Sequence, residues 1–561
     1  MASLQAYTSH GHRYYRIVES YRRDGKPRIR VLAHLGKVED LLALVTGKAR
    51  DLRLQSKMAG AVTALHRLAE ELELAGKINQ GLASHGGRVQ VRDGLTVGQS
   101  LVAAVIGRAC APSSKRAFCQ WAQQSCLPEL MGFKAEKLTS QHFWDQMDQV
   151  PETALGSIEE AVLTQLVRRE QLELDACLYD STNFHTYLAT ENKRSELAER
   201  GHNKQRRHDL RQLGLALVVD RESQLPLFHH LYPGARNDAR MLGELITPIR
   251  RRLRQLKKGR EQLTLVFDAG ANSTQNLNRL GQDFVVALRP SDHKPWLATA
   301  SEKLSEVELP TGQTLRAYRE RRRVLGADRE VVAVFSPQLW EGQVRGLDQQ
   351  LQRAGQELQK MKVEPRSPRQ RVERRLNRML DRQYLRDLVR WEWVESEPGT
   401  PRLRVWSDLA QRRRLVQAYF GFRLLATSHR DWTTGQIIEA YRSQSKVEAA
   451  FRDLKDPGMI STRPQFHWTD QKLRVHAFLC VMAYLLVRLL WWRYRRQASL
   501  PLSPRSLLAQ LKKIRLVRVV ELTGKAGRPR PVSYTHLRAH ETVTLIAYAV
   551  FCLKRGGGGG G

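Results

Sequence analysis

Residues 263–273 read Leu-Thr-Leu-Val-Phe-Asp-Ala-Gly-Ala-Asn-Ser. A short apolar run, closed by one acid and then by small residues, is how a buried strand ends beside a crevice that a bulky ligand can approach. The same order recurs at 176–184, Ala-Cys-Leu-Tyr-Asp-Ser-Thr-Asn-Phe. Asp180 and Asp268 therefore stand at the carboxyl ends of two expected strands, where open α/β sheets bind their ligands. For either acid alone, the ordinary alternative is a turn cap. Further β-runs at 213–219, 225–231 and 284–288, with a helical stretch at 238–256, predict a mixed α/β core around them.

The chain has 561 residues, room for roughly three to four domains of about 150 residues each. Lys and Arg total 92 against 57 acids, a formal net charge of +35. Solubility needs only a few charges. The excess predicts a polyanionic partner, nucleic acid ahead of an anionic membrane. The longest apolar run, 477–487, is closed by Arg488 and falls short of the ~20 residues a membrane span needs; the stretch 475–492 reads as a core helix. The first residues carry no apolar stretch of the signal-peptide kind. Six cysteines, none in Cys-x-x-Cys spacing, argue against a disulfide framework and a structural zinc site, and fit a reducing cytoplasm.

A third acid joins the two aspartates. Tyr441, Glu448 and Lys455 are spaced by seven residues, which places them along one helix face, with Arg452 one turn beyond Glu448. Phe451 and Leu454 can anchor the adjacent stripe. A solvated charged face does not call for Tyr and Lys at two-turn spacing on either side of one Glu. Two strand-end Asp and one helix Glu would make a pocket for two divalent metals, which serve phosphoryl transfer when about 3.5–4 Å apart. Mg²⁺ suits oxygen-only ligands. Lys455 and Arg452 can then hold a DNA phosphate, and Tyr441 can stack or hydrogen-bond beside the strand.

Outward from this centre the pattern changes. Residues 14–19 and 28–33 predict two strands joined near Asp24-Gly25. From about 52 to 156 the periodicity is helical, including 97–108, 117–125 and 140–147; between apolar helices, 112–116 (Pro-Ser-Ser-Lys-Arg) is an interhelical loop with two cations and two hydroxyls. Strands at 318–324 and 331–335 precede an amphipathic helix with Val344, Leu347, Leu351, Ala354, Leu358 and Met361 at 3/4 spacing, read as half of a helical hairpin. A very basic helix follows from Arg369 to about Arg390. The core pattern resumes at 421–427, so 295–420 reads as an insertion.

Residues 532–561 look foreign. Val-Ser-Tyr-Thr-His-Leu-Arg-Ala-His-Glu-Thr resembles translated sequencing-adapter read-through, and the six closing glycines resemble a run of G base calls. The segment is left out of the fold reading, and the native chain is expected to continue differently past Pro531. Its removal takes away Arg538, Lys554 and Arg555 against Glu541, so the charge excess falls only to +33.

These residues resemble the DDE transposases of bacterial insertion sequences, which have a ribonuclease-H-like core. One group carries an insertion before the Glu and the signature Y-x2-R-x3-E-x6-K; Tyr441, Glu448 and Lys455 match it, while Gln444 stands where the signature has Arg. That phosphate contact must then be absent, or come from Arg442 or Lys446. Leu178-Tyr-Asp-Ser-Thr182, Gly201-His-Asn-Lys204 with His208-Asp209, Phe267-Asp-Ala-Gly270, and Arg463-Pro464 before His476 also match, and the likeness runs to about residue 520. It implies DNA cleavage and strand transfer without a covalent protein–DNA intermediate. Asp180, Asp268 and Glu448 would be the metal ligands for two Mg²⁺, with Mn²⁺ left open as a substitute. It further implies terminal inverted repeats bound by the helical region, a homodimer in the synaptic complex, and a bacterial, nucleoid-associated location. Lys204, Arg206 and Arg207 would touch DNA near the site. Arg321 to Arg323 and the basic helix from Arg369 would guide DNA or stabilise a hairpin or flanking strand.

The expected organisation is a β-hairpin region (1–50), a helical DNA-binding region (51–165), the core in two parts (166–294 and 421–495) around the insertion (295–420), a C-terminal region (496–531) and the tail. Two other readings stand beside it: a metal-dependent DNA nuclease that cuts without joining, and an inactive remnant that only binds DNA. A membrane-surface protein fits poorly, since no basic amphipathic helix stands out as an anchor.

Overall fold

The apolar runs that open at Ala176 become one nine-stranded sheet. The computed structural model describes residues 2–9, 12–23, 26–37, 51–201, 207–257, 263–360, 369–382, 384–397, 400–462, 467–522 and 531–534. Lys204, Arg206, Met361 and Arg463-Pro464 lie outside them, as does nearly all of the tail. The chain divides into two compact units. One comprises Met1–Glu71, Gln90–Asp145 and Arg493–Gly561; the other comprises Leu72–Val89 and Gln146–Trp492.

In the second unit the sheet strands are β1 (Ala176–Thr186), β2 (Arg211–Asp220), β3 (Pro226–Pro233), β4 (Thr264–Phe267), β5 (Asp283–Leu288), β6 (Ser305–Glu308), β7 (Thr314–Val324), β8 (Ala327–Phe335) and β9 (Phe422–Thr427). Their spatial order is β6-β7-β8-β9-β5-β4-β1-β2-β3. β1, β2 and β3 form an antiparallel meander, and β4 lies parallel to both β1 and β5. A mixed α/β sheet with this core is the expected ribonuclease-H-like class.

The sheet register positions the site. β4 pairs with β1 at Thr264↔Ala176, Leu265↔Cys177 and Val266↔Leu178, then ends. β1 runs on against β2 as far as Thr186↔Arg211. Asp180 is therefore mid-strand, opposite Leu217, and not at a strand end as its sequence suggested. Ser181, Thr182 and Asn183 look like a turn because they are polar, but they form the half-buried middle of a strand whose ends are buried. Beyond Val266 the side of β1 that β4 had covered is open, and Asp180 faces that gap.

The helices of this unit that matter here are α1 (Glu152–Glu170), α2 (Asp238–Leu256), α3 (Pro337–Gln359), α4 (Arg369–Leu380), α5 (Thr434–Arg442), α6 (Ser445–Lys455) and α7 (Asp470–Arg495). By length and composition α7 could cross a membrane, yet 94% of its apolar window is buried inside the protein. It is the core helix expected from 475–492. Arg488, which interrupts its apolar run, donates to Asp453 of α6 at 2.7 Å and so ties the two helices together. A buried group of Glu159 on α1, His229 on β3 and Arg252 on α2 joins three further elements: Arg252 donates to Glu159 at 2.8 Å, and His229 bonds the other carboxylate oxygen.

Within the span 295–420, β6, β7 and β8 extend the core sheet; the rest is helical with a two-stranded hairpin, Val389–Glu397 with Thr400–Ser407. α3 uses its 3/4-spaced apolar residues as expected: Val344, Leu347 and Leu351 pack with Leu388, Leu415 and Phe420, and Ala354 with Leu380 and Leu385. The basic helix ends at Leu380, about ten residues before the expected point. Tyr384 adopts a left-handed φ of 71°, and the alternation Val389-Arg-Trp-Glu-Trp has the period of a strand.

In the first unit, Ala2–Ser9, His12–Arg23 and Lys26–Lys37 form a three-stranded sheet in place of the expected two-stranded hairpin. Residues 51–58, read as the start of the helical region, form a strand paired with Arg515–Leu522 from Asp51↔Leu522 to Met58↔Arg515. Helices Gly60–Glu71, Val97–Cys110 and Lys115–Gln123 follow. In the loop at 112–116 Ser114 caps the last of these, and the Lys115 ammonium sits 5.5 Å from the Trp144 ring centroid.

Candidate active site

Asp268 leaves the end of β4 and caps the short turn Ala269–Ala271, accepting the Ala269 N–H at 2.7 Å. The Tyr441 hydroxyl donates to the same oxygen at 3.1 Å. Asp180 accepts the N–H of its neighbour Ser181 at 2.8 Å. Glu448 is exposed on the first turns of α6, whose other face buries Val447, Ala450, Phe451 and Leu454. The predicted anchoring stripe, Phe451 and Leu454, is thus in place.

One cleft of about 750 Å³ gathers Asp180, Asp268 and Glu448, with Arg452 and Lys455 also on its wall. Lys455 donates to the Thr182 hydroxyl and lies 5.1 Å from the centroid of the Phe184 ring, both on β1. A fourth acid, Asp238, also lines the cleft. It opens α2 and accepts the Ser181 hydroxyl at 2.9 Å. In sequence it looked like an acid at a helix start, a common and favourable place. Only the 57-residue return of the chain reveals its neighbours.

The carboxylates act on one another. Burial first, then the charges of Asp268, Glu448 and Asp238, raise the Asp180 pKa to about 7 against the Ser181 N–H bond. The donor set is all oxygen and short of positive charge, which suits a hard divalent cation. Among the described residues, no three His, Cys, Asp or Glu side chains converge closely enough to hold an ion as they stand.

The Tyr, Glu and Lys of the signature do not share one helix. Tyr441 ends in α5, and the chain turns at Ser443 and Gln444 before α6 begins. The Ser443 hydroxyl bonds the Glu439 carbonyl at 3.0 Å, competing for the helix ladder. Gln444, at the signature's Arg position, is 6% exposed and donates to the Tyr179 carbonyl at 2.7 Å. It thus holds the β1 backbone one residue before Asp180. Of the two expected substitutes, the exposed Arg442 donates to Gln313 at 2.7 Å, and Lys446 donates to the Arg221 carbonyl at 2.8 Å. Arg207 pairs with Asp209 at 2.7 Å on the surface. Arg322 stacks 4.9 Å from the Trp296 ring centroid, while Arg321 and Arg323 are exposed.

A second cavity, about 380 Å³, shares Asp268 and Tyr441 and is lined by Arg289, Lys294, Arg423, Tyr384 and Tyr419. None of those five stood out in sequence, because they come from three separate stretches (289–294, 384 and 419–423) whose proximity is purely tertiary.

Comparison with known proteins follows the same lines. Residues 5–78 match the IS1634 family transposase N-terminal domain, and residues 172–486 match the transposase DDE domain. None of the curated proteins matches the chain. Among solved structures, the chain is similar to a piggyBac transposase synaptic complex with hairpin DNA, at 8% identity and a TM-score of 0.39, covering 80% of this chain and 79% of that one. With more than half of its length in the DDE-domain match, this chain belongs to the DDE transposases of insertion sequences.

Proposed function

We propose that this transposase binds the terminal inverted repeats of its element and performs DNA strand cleavage and transfer with Asp180, Asp268 and Glu448 as the metal-holding residues. The observation that carries the reading is the single cleft in which these three acids meet Arg452 and Lys455. The three carboxylates would hold two Mg²⁺; bound ions of this kind activate the attacking oxygen and stabilise the leaving one. Around that chemistry the chain's own groups orient the parts. Tyr441 fixes the Asp268 carboxylate, Gln444 fixes the strand beneath Asp180, and Ser181 links that strand to Asp238. Lys455 and Arg452 bring fixed positive charge to the side where a backbone phosphate would rest. The inverted repeats would be held by the helices of the first unit, and synapsis would require two copies. The same reading places the protein in the cytoplasm, on the nucleoid.

The test compares the full chain with its Glu448→Gln variant on labelled duplex carrying the element's inverted repeat, with Mg²⁺. Cleavage at the element end together with joined products, both lost in the variant, is the expected outcome. Cleavage without joining would favour a nuclease. Tight binding with no cleavage by either protein would remove the catalytic assignments.

A further inference from the structure

α4 carries a charge pattern that the cleft chemistry leaves unused. Over Arg369–Leu380 it reads Arg-Gln-Arg-Val-Glu-Arg-Arg-Leu-Asn-Arg-Met-Leu. Val372, Leu376 and Leu380 are buried, the first two against Leu358, Trp391, Trp393 and Leu403. Arg371, Arg374, Arg375 and Arg378 recur at 3/4 spacing on the other side, and all four are exposed.

The acid that could have neutralised this stripe is turned away from it. Glu373 accepts the Trp393 indole N–H at 3.0 Å, and Arg369 lies 5.5 Å from the centroid of the same ring. Arg374 reaches only the neutral Gln370, at 3.5 Å. Among the described residues, Arg371, Arg375 and Arg378 have no acidic partner. Like charges three and four residues apart cost a helix a few tenths of a kcal/mol per pair. The apolar face tolerates that cost, and an external anion would relieve it. Guanidinium forks match phosphate oxygens. From Arg371 to Arg378 the stripe covers about 10 Å of helix axis, while duplex DNA offers one phosphate charge per about 1.7 Å. Just past α4, Tyr384 lines the cavity that contains Asp268 and Tyr441.

We propose that the arginine face of α4 is a rail for double-stranded DNA continuing outward from the cavity beside Asp268, gripping the phosphate backbone without reading sequence. The proposal rests on the DNA strand-transfer reading, and its test is separable from it. The full chain is compared with an Arg371/Arg374/Arg375/Arg378→Gln variant and with the matching fourfold Lys variant, in binding to duplex DNA across a salt series. Losing four phosphate contacts should lower the slope of log affinity against log salt by roughly 3–4. The loss should be equal on an element end and on an unrelated duplex, and the Lys variant should keep the slope. An unchanged slope in the Gln variant, or a loss confined to one sequence, overturns the rail, as does a loss seen on anionic vesicles alone. Should the fourfold Gln variant not fold, R371Q/R374Q and R375Q/R378Q should each lower the slope by about 2, and no change in either overturns the proposal equally. Cleavage assays on the same proteins separate the two readings. A slope effect without any cleavage keeps the rail and sinks the active site; cleavage with an unchanged slope does the reverse.

Discussion

Two carboxylates withdrawn from water, one fully and one by half, sit in the same unit and behave in opposite ways. Glu159, 2% exposed, is held by Arg252 and His229, and although burial alone would raise its pKa, those two partners hold it below the usual carboxylate range. Asp180 is half-buried, but three of its neighbours are acids, and burial together with their charge raises its pKa to about 7. Burial is common to both, so partners decide the outcome. The Glu159 carboxylate has a partner on each oxygen and serves as a structural joint between α1, α2 and β3. The Asp180 region is left in need of positive charge, which is what a cleft that takes a cation requires.

The sharpest way to break this contrast is Asp180→Asn. It should cut strand cleavage on the order of 10²–10³-fold, as expected for losing a ligand of the ions that would stabilise the developing charge. In chelator it should also raise the unfolding temperature, because a half-buried anion repelled by its acidic neighbours is gone. A fall in that temperature, or retained cleavage, would show that Asp180 is an ordinary structural acid. Next comes Glu159→Ala, which leaves the buried Arg252 with only the more distant Glu160, at 3.7 Å, as a counterion and should cost about 3–5 kcal/mol in urea denaturation. A cost under about 1 kcal/mol would mean the joint contributes nothing special. The smallest effect is in pH. Burial first, then Arg474 and His229, push His230 down to about 4, so the folded chain favours the neutral ring. The unfolded chain binds that proton near pH 6.5. Stability from this site is therefore whole above pH 6.5 and lost as pH falls toward 4, by about 2–3 kcal/mol. His230→Gln should flatten that slope in denaturation curves taken at pH 7 and 4.5.

How much of this was legible depends on how far each signal reaches along the chain. β4 with Asp268, β5, α2 and the Phe451 and Leu454 stripe could be read because their periodicity is local. β1 was cut short because Ser181, Thr182 and Asn183 are strand residues that face a cleft, and polarity there mimics a turn. The strand 51–58 was missed because its partner, Arg515–Leu522, comes more than 450 residues later. The seven-residue spacing grouped Tyr441, Glu448 and Lys455, and the fold brings Glu448 and Lys455 to one cleft with Tyr441 on its Asp268, but the spacing could not show the break between the two helices at Ser443 and Gln444. Asp238 was invisible for a related reason: what distinguishes it is a hydroxyl contributed by another strand.

The composition of α7 has a consequence for how the chain is made. A segment apolar enough to cross a membrane is harmless only while something apolar covers it. Synthesis runs from the amino end, so β1 to β9 have all left the ribosome before α7 emerges. The helix can therefore dock onto a surface that already exists, instead of waiting exposed. Moving it ahead of the sheet in a circularly permuted gene would reverse that sequence of events, leaving the finished contacts the same but the nascent chain open to aggregation.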